Sequence, residues 1–201
     1  PLAWAISSNN AQKGRSRFRG RLNQTVSSEG LTLVDDASYI QATAAGSFDR
    51  EGVPHSPLTV IEKGVLKTYL YNSYTGSKEG RRSTGHASGS WRSTPSVNPT
   101  NILVHEGSVS REEMISDVRR GVLVTRFSGF PNPVTGDFSG VVKGGYMIEG
   151  GEVVHPLKET LITGNVFDLL LKISSISTER KTIMSHVLPY IGLEDVSITS
   201  A

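Results

Sequence analysis

Glycine and proline punctuate the chain at short intervals between residues 20 and 160. The apolar stretches between them are short, which is typical of strands joined by tight turns and not of long helices. The clearest case is LTVIEKGVLKTYLY at 58–71, where Leu58 and Val60 alternate into a turn at 62–64 and apolar residues return afterwards. Gly64 permits the positive φ that such a turn requires. This stretch predicts a β-hairpin.

A second stretch, GYMIEGGEVVHPL at 145–157, repeats the Ile-Glu-x-Gly sequence of the first hairpin. We expect the glycine pair at 144–145 to lead into its first strand and the pair at 150–151 to form its turn. The preceding PNPVTGD at 131–137 carries two prolines and a Gly-Asp pair, which predict another turn. The shared sequence leaves an internal duplication open.

Two segments have the pattern of short helices. SREEMISDVRRG at 110–121 begins with a capping box, Ser110 with Glu113, and stops at Gly121. GNVFDLLLKISSIST at 164–178 has Asn165 as its N-cap and a broad apolar face.

The remaining segments complete the fold prediction. The tail, LPYIGLEDVSITSA, predicts a closing strand, and the polar residues 72–101 predict a long ordered loop. The predicted fold class is α+β, a β-rich domain of antiparallel strands and hairpins with about two short covering helices. The opening sequence PLAWAISSNNAQKGRSRF has the pattern of a helix end entering a strand. We therefore expect residues 1–201 to be the single C-terminal domain of a longer protein.

Composition narrows the classes of function. The chain has 201 residues, a formal net charge of +2 and no cysteine, so it forms no disulfide, thiolate metal site or cysteine nucleophile. No apolar run approaches the roughly 18 residues that a membrane span requires. The absence of cysteine fits a reducing compartment, and we expect a cytoplasmic protein.

The histidines do not form a metal motif. His105 and Glu106 begin an H-E pair, but the positions where a zinc helix needs its second histidine hold Val109 and Ser110. His86, within STGHASG, has a small, polar and flexible setting. Two interpretations of His86 stay open: a residue facing a ligand, or a loop histidine bonded to backbone.

A basic segment, KGRSRFRGR at 13–21, places five cations at alternating positions. On a strand they would all face one way. Such a stripe could bind nucleic acid, or it could be an exposed strand face or a charge-protected edge. The net charge of only +2 does not favour nucleic acid.

The glycine-rich residues 126–156 contain neither nucleotide-binding glycine motif, and no helix follows to bind an anion. A phosphate loop is therefore not predicted here. The functional alternative is that Thr135, Asp137 and Ser139 present polar groups into a groove.

Five segments taken together resemble the C-terminal region of the TldD/PmbA family, named modulators of DNA gyrase and regarded as peptidases. They run in family order and are GSFDREGVP, VIEKGVLKTYLYNSYTGSKEGRRSTGHASG, NPTN, NPVTGDFSGVVKGGYMIEGGEVVHPLKETLITGN and FDLLLKISSIS. The resemblance covers residues 46–178. It implies a heterodimer that degrades small or unfolded polypeptides inside an enclosed cavity.

The resemblance also implies that the two subunits differ in metal binding. One family partner, TldD, carries zinc through an upstream H-E-x-x-x-H helix and a cysteine near its C-terminus, and the other, PmbA or TldE, lacks the metal set. Because this chain has no cysteine, it is identified with the metal-free subunit. The expectations are therefore no cofactor in this chain, zinc in a TldD-like partner, and a heterodimer or self-association.

No catalytic residue is predicted in this chain. The hypothesised substrate-cavity residues are Ser83, Thr84, Gly85, His86, Asp137 and Ser139. Their expected ligand is an unfolded peptide. The alternative function is a DNA-gyrase-modulating or nucleic-acid-associated regulator that uses the basic segment 13–21.

Overall fold

The computed structural model describes residues 1–200 of the chain, and strands make up most of its regular secondary structure. Its helices are all short, and they are α1 (Leu2–Ala5), α2 (Ser8–Gln12), α3 (Ser73–Lys78), α4 (Arg111–Ser116) and α5 (Val166–Leu170). Its strands are β1 (Leu33–Asp35), β2 (Leu58–Glu62), β3 (Val65–Leu66), β4 (Ala87–Ser88), β5 (Ser96–Val97), β6 (Ile102–Val104), β7 (Arg120–Gly129), β8 (Asp137–Glu149), β9 (Glu152–Pro156), β10 (Thr160–Asn165), β11 (Ile173–Ile183), β12 (His186–Leu193) and β13 (Ser197–Ser200). The predicted α+β, mainly β class is confirmed.

The larger sheet has six strands in the order β11-β12-β6-β1-β2-β3. All of its pairs are antiparallel except β6 with β12. Every residue of its central strands β1 and β6 is buried. The main core lies here, with Phe18, Leu33, Ile61, Leu66 and Tyr71 among its most buried side chains.

The second sheet has five strands and is built around β8. On one side β8 pairs with β7 along almost its whole length. On the other side it pairs first with β10 and then with β9. Few of its side chains are buried, Val142, Ile148 and Ile162 among them. Much of the surface of this sheet is therefore exposed to solvent in this chain.

Both predicted hairpins are confirmed. In the first, Ile61 pairs with Leu66 across a turn in which Lys63 and Gly64 both have positive φ. In the second, Glu149 pairs with Glu152 across the glycine turn at 150–151. Its first strand begins at residue 137, so the glycine pair at 144–145 lies within β8 and does not lead into it.

The helix starts are confirmed and their ends are corrected. Ser110 and Glu113 form the predicted capping box of α4, and Asn165 caps α5 by accepting a hydrogen bond from the Phe167 N–H. However, α4 ends at Ser116 and α5 at Leu170. The chain then enters β7 and β11, because pairing with a neighbouring strand satisfies the backbone there better than another helical turn.

Three other expectations were wrong in part. Residues 13–21 are turns and not a strand, and the opening residues form α1 and α2. Residues 72–101 are not one loop, since they contain α3 and the small β4–β5 ladder. The tail forms most of β12 and all of β13 instead of one strand. No helix within residues 1–200 is long and apolar enough to cross a membrane.

Candidate functional site

His86 lies at the centre of a buried polar network. Its side chain is 2% exposed, its Nε2 lies 2.9 Å from Asp35 Oδ1, and its Nδ1 lies 2.9 Å from Thr84 Oγ1. Asp35 ends β1, in the middle of the larger sheet. The loop that carries His86 is thereby joined to the core sheet.

The Asp35 carboxylate is fully satisfied. Besides the His86 ring, Oδ2 accepts the Thr100 N–H at 2.8 Å and Oδ1 accepts the Thr100 hydroxyl. A buried carboxylate is stable only with such partners. The network therefore joins the end of β1 to the segments at residues 84–86 and 100, which are distant from it in sequence.

The Thr–His–Asp arrangement does not supply a nucleophile. The Thr84 hydroxyl accepts the Tyr71 N–H at 2.8 Å and lies 3.2 Å from the Tyr71 carbonyl. Its single proton is therefore shared between that carbonyl and the His86 ring. A catalytic hydroxyl must reach a substrate carbonyl, and this one is occupied by backbone.

The neighbouring residues of the predicted set also face their own chain. The Ser83 hydroxyl donates to the Tyr71 carbonyl at 3.2 Å and accepts the Gly85 N–H at 3.1 Å. Gly85 has a φ of +75°, and a β-carbon there would lie 2.9 Å from the Pro54 carbonyl oxygen. Glycine is thus required at this position, and the placement of residues 83–86 along a substrate cavity stays a prediction.

Two polar residues that sequence reasoning missed hold the same region. Asp49 is 5% exposed and accepts backbone N–H groups from Glu51, Val53 and Ala87. Asn101 is fully buried, and its side chain bonds the loop at residues 36–44. Both lie in polar, glycine- or proline-rich stretches, and this composition was the only sequence signal that could have indicated them.

Asp137 and Ser139 occupy a different place, on the exposed part of β8. They are two residues apart and so share one face of the strand. In register, Asp137 lies opposite Asn165 and Ser139 lies opposite Thr163 on β10. These four residues form a polar strip on the five-stranded sheet, which we call the polar face.

The Asp137 carboxylate is held in its ionised form. The side-chain hydrogen bond from Asn165, at 2.8 Å, is the main cause that lowers the pKa of Asp137, followed by Thr135 and by the positive charge of Arg17. Hydrogen bonds to a carboxylate favour its charged form. Asp137 is therefore an oriented, exposed acceptor.

The structure divides the six predicted residues into two groups. Residues 83–86 pack against the larger sheet, and Asp137 and Ser139 lie on the five-stranded sheet. Within the described part of the chain no hydrogen bond joins the two groups.

The family model described as PmbA/TldA metallopeptidase C-terminal domain matches residues 2–200. The chain belongs to the PmbA/TldD family. A TldD homologue of Buchnera aphidicola, named a metalloprotease, is 30% identical over 172 residues, which is 85% of this chain and 36% of the relative.

Solved structures agree with this assignment. TldE from Thermococcus kodakarensis is 29% identical and superposes with a TM-score of 0.89, over 99% of this chain and 46% of that one. A Thermotoga maritima protein titled a modulator of a DNA gyrase is 32% identical, with a TM-score of 0.90 over 97% of this chain and 45% of that one. TldD-named and TldE-named relatives are almost equally similar, so identity alone does not assign the subunit.

The chain spans less than half the length of these relatives. The metallopeptidase name of the family implies a metal ion. Among residues 1–200 no three His, Cys, Asp or Glu side chains come together in a way that could hold one. Both ring nitrogens of His86 already have partners. The described residues do not fit a zinc site, and no chemical step is assigned to zinc here.

Proposed function

We propose that this chain is the C-terminal, substrate-binding part of a PmbA/TldE-like subunit in a zinc-dependent peptidase complex. The complex degrades small or unfolded polypeptides in the cytoplasm. A TldD-like partner subunit carries the zinc and performs the hydrolysis. Membership of a metallopeptidase family and the close structural likeness to a TldE support this assignment.

The observation that carries the proposal is the open five-stranded sheet. Strand β7 is ten residues long and ends the strand order β13-β10-β8-β7, so no described strand pairs with its outer side. Its backbone N–H and C=O groups are available to an extended peptide. Pairing through the backbone tolerates almost any sequence, as degradation of unfolded chains requires.

The polar face adds side-chain contacts to that surface. Asp137 and Ser139 are exposed, and Asn165 fixes the Asp137 carboxylate in position. Strand β7 ends at Gly129, opposite Gly140 of β8, so a peptide paired with β7 that extends past this end could present N–H groups to Asp137 and Ser139. Residues 83–86 contribute indirectly, by holding the loops beside the larger sheet.

The test is peptide hydrolysis by the assembled complex, with the full-length protein and its TldD-like partner. Asp137→Ala removes the oriented acceptor, and we expect KM for a neutral unfolded peptide to rise about 2- to 10-fold with kcat little changed, the effect of one lost hydrogen bond. Glu152→Ala, an exposed acid on β9 of the same sheet, is the matched control and should behave as wild type. Equal KM values for Asp137→Ala and Glu152→Ala would contradict the role of the polar face.

A further inference from the structure

The basic segment at residues 13–21 forms a rigid exposed loop, which we call the basic loop. Ser16 and Phe18 are buried and anchor it: the Ser16 hydroxyl donates to the Ala5 carbonyl at 2.7 Å, and the Phe18 ring packs edge-on against Phe167. Gly14 and Gly20 turn the chain with φ of +72° each. Among the described residues, Arg21 is the only one of the five cations that uses its charged group in a side-chain hydrogen bond.

The cations of the basic loop point away from these anchors. Lys13, Arg15, Arg17 and Arg19 are exposed, and Arg21 is half-buried with its guanidinium donating to the Thr25 carbonyl at 2.8 Å. None of the five is a partner in the ion pairs found within residues 1–200. Five neighbouring positive charges that form no ion pair repel one another and attract an anionic ligand.

The rest of the chain carries a net negative charge, opposite in sign to the basic loop. No acidic residue precedes Glu29, so residues 29–201 carry 16 Lys and Arg against 19 Asp and Glu. The positive net charge of the chain thus resides in one loop. A local patch of this kind suits a short anionic segment better than a long polyanion, which would also meet the negative remainder.

The basic loop lies next to the polar face. Arg17 acts electrostatically on the Asp137 carboxyl group, and Phe18 contacts Phe167 directly after the Asn165 cap. Asp137 offsets one of the five charges, so the loop remains cationic overall. A chain bound along the polar face would therefore pass within reach of Arg17.

The basic loop itself carries no exposed aromatic ring. Binding of single-stranded nucleic acid combines cations with exposed rings for base stacking, and Phe18, the one aromatic residue of the loop, is 1% exposed. Two rings beside the loop are more open: Trp4 is 37% exposed and its Nε1 donates to the Arg15 carbonyl at 3.0 Å, and Tyr74 is 64% exposed. The choice of a peptide therefore rests on the negative charge of residues 29–201, which disfavours a long polyanion.

We propose that the basic loop binds acidic segments of the polypeptide substrate and so gives the complex a preference for acidic chains. This inference rests on the proposed function, and it specifies the class of substrate. Arg17 supplies the charge nearest to the bound chain, and Arg19 adds to the positive charge of the loop.

Fluorescence anisotropy on the full-length protein without its partner measures the binding. The probes are a labelled Glu-Ala repeat peptide, a Gln-Ala peptide of equal length and a labelled oligo-thymidine. The test variant is Arg17→Gln/Arg19→Gln, and the control is Lys63→Gln/Lys181→Gln, which removes the same charge from two exposed sites on the larger sheet. Peptide hydrolysis by the complex is measured separately, as the ratio of rates on the acidic and neutral peptides.

The expected result is that the Glu-Ala peptide binds wild type and control alike and binds the test variant about 2- to 30-fold more weakly at low salt, the effect of two exposed ion pairs. The acidic-to-neutral hydrolysis ratio should fall in the test variant only. Equal binding of the Glu-Ala peptide by test and control variants would overturn the inference. So would a loss confined to oligo-thymidine, which would make the loop a nucleic-acid surface. Failure of the wild-type complex to hydrolyse either peptide would refute the proposed function, while the anisotropy still decides the role of the loop.

Discussion

Replacing His86 with alanine is the perturbation that best separates a structural histidine from a catalytic one. The imidazole joins Asp35 to Thr84 and is 2% exposed. Its removal leaves the buried Asp35 carboxylate with only the hydroxyl and N–H of Thr100 as partners. The same change opens a cavity next to His55, whose ring lies 6.2 Å from that of His86.

The expected cost follows from these contacts. A hydrogen bond to a charged group contributes about 1.5–3 kcal/mol and a neutral one about 0.5–1.5 kcal/mol, and the imidazole makes one bond to the Asp35 carboxylate and one to the Thr84 hydroxyl. Because the two Thr100 bonds to Asp35 remain, the loss is limited to these two bonds and to the cavity that the ring leaves. We expect His86→Ala to lower the free energy of unfolding by about 3 kcal/mol.

Urea denaturation followed by circular dichroism measures this loss as a lower midpoint at an unchanged slope. His155→Ala is the matched control, because His155 is exposed on β9 and contacts only the carbonyl of its neighbour Pro156. The control should stay within about 0.5 kcal/mol of wild type. A His86→Ala variant as stable as the control, yet inactive in the assembled complex, would refute the structural interpretation.

Two further predictions concern the first hairpin turn and the polar face. Gly64 and Gly52 have almost the same φ, +78° and +77°, but a β-carbon at Gly64 would lie 2.6 Å from the Ser27 carbonyl oxygen and one at Gly52 would meet nothing. Gly52→Ala should therefore cost about 1–2 kcal/mol of unfolding free energy and Gly64→Ala clearly more, and equal urea midpoints would contradict this. NMR titration should place the pKa of Asp137 below 3.8, and Asn165→Ala should raise it. Since the pKa of Asp137 is lower in the folded than in the unfolded state, its ionised form stabilises the fold at pH values above the unfolded pKa, and this stabilisation is lost as the pH falls through the folded pKa. An unchanged Asp137 titration midpoint in Asn165→Ala would show that the Asn165 hydrogen bond does not lower the pKa.

Local turn and cap chemistry explains what the sequence could predict. The two hairpins depend on glycines that adopt positive φ, and the starts of α4 and α5 depend on Ser110 and Asn165. Such signals lie within a few residues of one another and can be seen in the sequence. The end of α5 could not be found in this way. Its apolar run continues into β11, and only pairing with β12 decides where the helix stops.

The errors arose where distant residues decide the structure. The alternation of the basic segment has the period of a strand, but it results from the anchoring of Ser16 and Phe18 between two glycine turns, with no partner strand. The setting of His86 was equally hidden, because its partner Asp35 lies 51 residues earlier. Asp137 was predicted as a residue of a substrate cavity, which stays a prediction, and the structure adds the Asn165 contact that orients its carboxylate.

Zinc content per subunit tests the central claim most directly. The full-length protein and its TldD-like partner are purified separately and together. The zinc content of each preparation and its rate of hydrolysis of an unfolded peptide are then measured. We expect zinc to accompany the partner and hydrolysis to require both proteins. Stoichiometric zinc in the full-length protein alone, together with hydrolysis of the peptide without any partner, would contradict this expectation.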